Sequence, residues 1–247
     1  RIIGLGRTGA AVAQSLAAAG VGSLLLDDDA PVGAADLGPG AFRLADIGLT
    51  RAAAVRRSLA QLEPEIGAHV VRGRDSDPPA VDLVVFCGAT EMPVQVMGRL
   101  LRADQPHLVV LAPGTGGSVG PLVVPGATAC MECVRRRTGP APASAAGEAH
   151  APEGQSRAGG AEVCTALALA AGAARAALLF LDGVTRPACW SAVQTLRFLD
   201  GGWTIRRFDP DPGCGCQLQN SAAARAGGTG PAQVAVFRAS TSSTRAP

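Results

Sequence analysis

The sequence predicts an α/β fold: a doubly wound, mainly parallel Rossmann-like sheet with a C-terminal antiparallel hairpin and a zinc closure. Three observations predict it. A glycine-rich run, GLGRTG, joins the first apolar stretch to the first helical one; apolar and helical stretches then alternate up to residue 111; and two close pairs of cysteines stand about 80 residues apart. Alternation gives parallel strands because a right-handed crossover returns the chain to the same sheet.

Taken in order, residues 1–3 read as a strand, 10–19 as an alanine-rich helix and 23–26 as a second strand, one βαβ unit. Residues 51–62 read as a helix ended by Pro64, and 70–71 as a short strand. The unbroken apolar run 81–86 suits a central parallel strand covered on both faces. Residues 92–103 read as a helix and 107–111 as another buried strand. Residues 138–160, rich in Pro, Ala, Gly and Ser, read as a flexible crossover loop. Residues 161–181 form a helix, and 191–199 with 203–208 a hairpin around Asp200, Gly201 and Gly202. The organisation is thus a nucleotide-binding part over 1–137, the loop 138–160, a C-terminal helix, hairpin and zinc closure of the same domain over 161–216, and a disordered tail over 217–247.

Composition narrows the function. At 247 residues the chain can bury a sizeable core without disulfides. Much of its apolar content is alanine, so Val, Leu and Ile are expected to build that core. A net charge of +2 with both signs interspersed offers no basic stripe for nucleic acid. The apolar stretch 163–181 is interrupted by Arg175 and leans on alanine, which predicts a buried helix and no membrane span. The first residues read as a strand, with no secretory signal ahead of them, so seven cysteines point to a reducing cytoplasm and to metal binding.

The candidate site residues follow. Gly4, Gly6 and Gly9 permit a sharp turn, a close approach of backbone to phosphate and tight helix–strand packing, at the positive end of a helix. An acid about 20 residues on is where a ribose hydroxyl is held, and Asp27 or Asp29 fits. Arg7, inside the turn, can reach a phosphate or face solvent. None of this separates NAD from ATP. Cys130, Cys133, Cys214 and Cys216 offer four thiolates, the set that fills a tetrahedral structural zinc. Cys87 and Cys189 read as packing. Cys164, where the loop meets a helix N-terminus, is placed to have a lowered thiol pKa, although a structural cysteine is the plainer reading. His69, His107 and His150 share no motif spacing with a nucleophile or carboxylate.

With these residues in view, the chain resembles the ThiF family, the bacterial relatives of ubiquitin-activating enzymes. The likeness rests on GLGRTG, the acids at 27–29, Asp46 and Gly48 followed by Arg51, the strand DLVVFC ending at Cys87, and PLVVPGATACMEC ahead of the closing CGC. It implies ATP with Mg at the glycine turn and adenylation of the C-terminal carboxylate of a small carrier protein or peptide by a homodimer. Arg51 then stands where the family has a phosphate-binding Lys, and Cys164 is a candidate acceptor thiol. Two departures accompany the likeness. The family's Asn-Leu-x-Arg-Gln segment is DLGPG here, without its Arg, and its magnesium-binding Asp is replaced by the run CGAT from Cys87, with Glu91 or Asp104 as substitutes. A branch of the family serving azole-containing ribosomal peptides resembles this chain in GTGGSVGPLVVPG and CGC, and some members there bind a leader peptide without ATP chemistry.

Three functions compete: an adenylyltransferase acting on a carrier protein or precursor peptide, a non-catalytic peptide-binding relative, and a nicotinamide-dependent oxidoreductase. The third does not predict the cysteine closure. Arg51 and the acid cluster give adenylation the lead.

Overall fold

Continuous apolar runs become the strands that are covered on both faces. β1 (Ile2–Ile3), β4 (Val84–Gly88) and β5 (His107–Leu111) form the centre of a sheet completed by β2 (Ser23–Asp27), β3 (Gly67–Val70), β6 (Gly117–Val123), β7 (Ala192–Leu196) and β8 (Trp203–Arg207). The computed structural model describes residues 1–71, 80–114, 116–139, 161–197 and 199–217. Within them the strand order is β3-β2-β1-β4-β5-β6-β7-β8. The first five strands are parallel and the last three join antiparallel. The strand order reverses between β1 and β4, and in such sheets ligands bind beyond the carboxyl ends of the strands at that point.

Helices α1 (Arg7–Ala18), α2 (Arg51–Leu62) and α5 (Val163–Leu181) share one core with the inward residues Ile2, Val85, Leu108 and Val110. On the other face α3 (Val94–Arg102) covers Val84, Phe86 and Val109. Alanine does more here than its small area suggests. α1 buries Ala10, Ala11, Ala13 and Ala17, and α5 buries Ala166, Ala170, Ala173, Ala174, Ala176 and Ala177. Short side chains let the two helices pack closely together over the sheet, so the core rests on alanine as well as on Val, Leu and Ile. By length and composition α5 is the one helix among the described residues that could cross a membrane, and its alanines are spent on this contact.

The elements that were expected fall within a few residues of their bounds, while β6 and α4 stand where the sequence analysis gave no element. Residues 81–86 are strand only from Val84, and the strand runs on to Gly88. Thr138, expected to begin a loop, ends the helix α4 (Met131–Thr138), which Gly139 terminates at φ 76°. The rest of the expected loop, 140–160, and the expected tail beyond Gln217 lie outside the described residues.

His107 opens β5 fully buried. Its Nδ1 meets the Gln105 carbonyl at 2.9 Å, while its Nε2 is buried without a partner. Burial disfavours the charged ring and lowers its pKa from the ordinary 6.5, against the Gln105 carbonyl, which raises it. The unfolded chain therefore takes up this proton at a higher pH than the folded one, and stability falls as pH drops below about 6.5. His107→Gln is expected to flatten that part of the profile in denaturant titrations between pH 6.5 and 5, because the variant has no proton to gain there.

Candidate functional site

The glycine turn lies at the point where strand order reverses. Gly4 has φ +84°, and a Cβ on it would stand 2.1 Å from the Cys87 carbonyl oxygen of β4. A Cβ on Gly9 would stand 2.0 Å from the Gly4 carbonyl oxygen. Both glycines are thus required by the protein's own packing. Gly6 differs: a Cβ there would meet only Asp36 Oδ1, at 4.0 Å. Gly6 caps α1, which has no side-chain cap and no acid in its first turn. The face of the cradle toward Gly6 is therefore open, and free helix N-terminal N–H groups suit an anion.

Around this turn stand the acids at 27–29 and, from the loop after β2, Asp36. Asp27 pairs with Arg1 through its Nε at 3.0 Å and its Nη2. Asp29 is exposed past the end of β2. The carboxylate that ties the turn together is Asp28, which accepts from the Leu5 N–H at 2.7 Å and the Ala30 N–H at 3.0 Å. Asp36 is 4% exposed and takes the Gly33 N–H at 3.0 Å. It also grips Arg51 two-handed, with Nη2 at 2.8 Å from Oδ1 and Nε at 3.1 Å from Oδ2. Arg51 Nη1 reaches Asp28 at 3.4 Å. Arg7 is held as firmly: it donates to the carbonyls of Ala35 at 2.7 Å, Leu37 at 2.8 Å and Ala161, clasping the loop after β2 to the start of α5.

Three further positions complete this edge. Cys87 packs 3.4 Å from where a Gly9 Cβ would be, and burial pushes its thiol up to about 12. Of the acids that could stand in for a metal-binding Asp, Glu91 is exposed in the loop leaving the carboxyl end of β4. Asp104 sits between α3 and β5, at the amino end of the parallel strands and so opposite the glycine turn. Cys164 is exposed in the first turn of α5. Its environment raises its thiol pKa, contrary to the expectation from a bare helix N-terminus. The cause is Glu162, whose carboxylate caps the helix by accepting from the N–H groups of Cys164 and Thr165, both at 2.8 Å, and accepts from the thiol as well.

The second centre is the cysteine cluster. The Sγ atoms of Cys130, Cys133, Cys214 and Cys216 lie within 4.8 Å of one another and all four residues are buried. Cys130 Sγ is 3.8 Å from Cys133 Sγ and 3.7 Å from Cys214 Sγ, and Cys133 Sγ is 3.5 Å from Cys216 Sγ. Tetrahedral zinc with Zn–S bonds of about 2.3 Å needs sulfurs about 3.8 Å apart. The donor set and its spacing are compatible with zinc. Burial pushes the thiols of Cys130 and Cys214 up, the latter to about 11. At Cys133 burial acts the same way, but backbone N–H groups, led by that of Asp211 at 3.4 Å, outweigh it and leave the thiol below its ordinary value.

The chain positions these sulfurs with groups that the sequence reading passed over. After β6, Thr128 Oγ1 accepts from the Val124 N–H at 2.7 Å, and Ser191 Oγ accepts from the Ala129 N–H at 2.8 Å. Cys130 then caps α4 and Cys133 falls in its first turn. Behind the second pair, Arg136 of α4 donates to the Gly213 carbonyl at 3.1 Å. Asp28 and Asp36 were also passed over as ligating side chains, although Asp28 stands between the two acids that were considered.

The family model described as "ThiF family" matches residues 1–216. Among solved structures, Escherichia coli MccB with ATP is similar at 20% identity and a TM-score of 0.69, over 87% of this chain and 64% of that one. The microcin C7 biosynthetic enzyme MccB in complex with N-formylated MccA is similar at 20% identity and a TM-score of 0.71, over 87% of this chain and 66% of that one. PaaA is similar at 13% identity and a TM-score of 0.61, over 83% of this chain and 71% of that one. The chain spans slightly under two thirds of the length of MccB, and at these identities the likeness is one of fold. No curated protein sequence matches the chain.

Two predictions follow from this geometry. Gly9→Ala, which must push apart a backbone contact, is expected to lose about 3 kcal/mol of stability, whereas Gly6→Ala is expected to lose only about 1 kcal/mol as a poorer helix cap; chemical denaturation of both variants tests the contrast. For the cluster, one zinc per chain is expected by elemental analysis. Cys216→Ser is expected to lose it together with at least 10 °C of melting temperature, a shift of about 3 kcal/mol or more for a chain of this size.

Proposed function

The chain belongs to the ThiF family, and on that premise we propose that it binds a precursor peptide or small carrier protein without adenylating it, leaving that chemistry to a partner enzyme. The observation that carries this reading is the pair between Arg51 and the buried Asp36.

Adenylation sets a carboxylate against the α-phosphate of ATP and expels pyrophosphate, so cationic groups must neutralise charge on the departing phosphates. Arg51 is the candidate for that task, and here both edges of its guanidinium are used by Asp36 and Asp28. Freeing it strands a carboxylate with little access to water, a cost on the order of 3 kcal/mol. Asp36 also faces Gly6, so a phosphate entering the open side of the cradle meets a negative charge. Arg7 commits Nη1 and Nη2 to three carbonyls and its Nε is buried, so its charge stays near the turn but it offers a phosphate no exposed donor.

The comparisons support a peptide as the partner class: MccB has been solved with the peptide MccA. MccB has also been solved with ATP, and the uncapped N-terminus of α1 with the open face at Gly6 favours adenylation as a second reading. Zinc held by Cys130, Cys133, Cys214 and Cys216 would close the fold in either case. Seven cysteines free of disulfides fit a cytoplasmic setting, and homodimerisation, as in the family, fits both readings.

ATP–pyrophosphate exchange separates them. The wild-type chain is expected to show none in the presence of a precursor peptide or carrier protein that binds it by calorimetry; exchange above the protein-free background would restore adenylation. Asp36→Asn keeps the side-chain shape and removes the charge, and is expected to tighten ATP binding at least tenfold, about 1.4 kcal/mol.

A further inference from the structure

The sheet ends on β8, and among the described residues nothing pairs with its outer edge. All five of its residues are exposed, including Trp203 at 41% and Ile205 at 51%. The register fixes which backbone groups face outward. The Phe208 N–H donates to the Ser191 carbonyl and the Arg197 N–H to the Gly202 carbonyl. In an antiparallel pair, bonded and non-bonded positions alternate. Thr204 and Arg206 therefore bond to β7, and the N–H and C=O groups of Trp203, Ile205 and Arg207 point to the free edge.

The side chains divide in the same way. Trp203 leans on α5, its Cη2 lying 3.7 Å from where a Cβ on Gly172 would stand, and Ile205 shares that face. On the opposite face Arg206 lies over the Phe208 ring, 5.1 Å from its centre, beside the cysteine cluster. The strand carries two arginines and no acid.

We propose that the free edge of β8 is the docking strand for an extended peptide whose side chains alternate between apolar and acidic. This rests on the peptide-binding reading and gives it a place. The peptide's backbone bonds to Trp203, Ile205 and Arg207, its apolar side chains cover Trp203 and Ile205, and its acidic ones lie beside Arg206 on the opposite face, while Arg207 closes the apolar face. Charge also explains why the occupant is not a second copy: pairing two β8 strands would gather four arginines with no acid among them. The arginines thus guard the edge against self-association while selecting an acidic partner.

The test uses the full chain and two capped octapeptides, one alternating Val with Glu and one alternating Val with Lys. With the Glu peptide, amide exchange at Trp203, Ile205 and Arg207 is expected to slow at least tenfold while that at Thr204 and Arg206, already bonded to β7, stays unchanged. Ile205→Pro removes an outward donor that β7 does not use, and is expected to weaken the Glu peptide at least tenfold with Thr204 and Arg206 still protected. Should that variant unfold, Arg206→Glu is expected to reverse the preference toward the Lys peptide. Equal binding of both peptides to the wild type, undiminished binding to Ile205→Pro, no slowing at the three amides, or a dimer in sedimentation whose β8 amides are protected without peptide would each overturn the proposal. Pyrophosphate exchange by the wild type would overturn the non-adenylating reading alone and leave the β8 result standing.

Discussion

The fold depends on two pairs of thiols meeting across the chain. Cys130 and Cys133 follow β6 at the start of α4, and Cys214 and Cys216 follow β8. A parallel sheet that ended at β5 would close within the first 111 residues. The antiparallel extension β6-β7-β8 instead hangs on the far side of β5, and its last strand is exposed along its whole length. A strand so poorly buried contributes little hydrophobic stabilisation of its own. What holds it is the compact cluster on one face, where the four cysteines pack with Val123, Ala129, Val134 and Phe208. A tetrahedral cation between these sulfurs would replace burial with coordination, which is how a short, exposed strand can be ordered.

That dependence explains what could be read from the sequence. The parallel half was legible because its signals are local: GLGRTG between an apolar run and a helix, and unbroken apolar runs ending at Phe86 and Leu111. The cysteine cluster was legible because thiol pairs declare their chemistry without reference to neighbours. Less legible was α4, whose eight residues include Arg135, Arg136 and Arg137 and present little apolar period. It is held by Glu132, which takes Arg135 at 2.7 Å and Arg136 at 3.1 Å, and by the cluster itself. Its existence is a tertiary fact. The same holds for Ser191, whose hydroxyl reaches 62 residues back to position Ala129.

The site was less legible than the fold, for an electrostatic reason. The family resemblance implies a phosphate-binding place for Arg51, which begins α2 and reaches Asp28 beside the glycine turn. A side chain's availability, however, is set by its partners. Asp36 was visible as a departure from the family's pattern, yet its consequence appears only when the loop after β2 brings it under Arg51 and beside Gly6. Cys164 repeats the lesson. A helix N-terminus alone favours the thiolate, but Glu162 occupies that terminus first and its carboxylate reverses the sign.

The two glycine roles can now be separated. Gly4 and Gly9 are fixed by contacts with Cys87 and with each other, so a chain that keeps this sheet keeps them whether or not it binds nucleotide. Gly6 faces open space bounded by Asp36, and no contact within the protein requires it to be small. Around that opening stand a buried carboxylate and two arginines, Arg51 paired with Asp36 and Arg7 tied to carbonyls. The glycine fingerprint therefore reports the architecture of the turn more than its occupancy. The charge lining the turn is the better guide to chemistry, because moving a buried carboxylate out of its pair costs more than altering a loop.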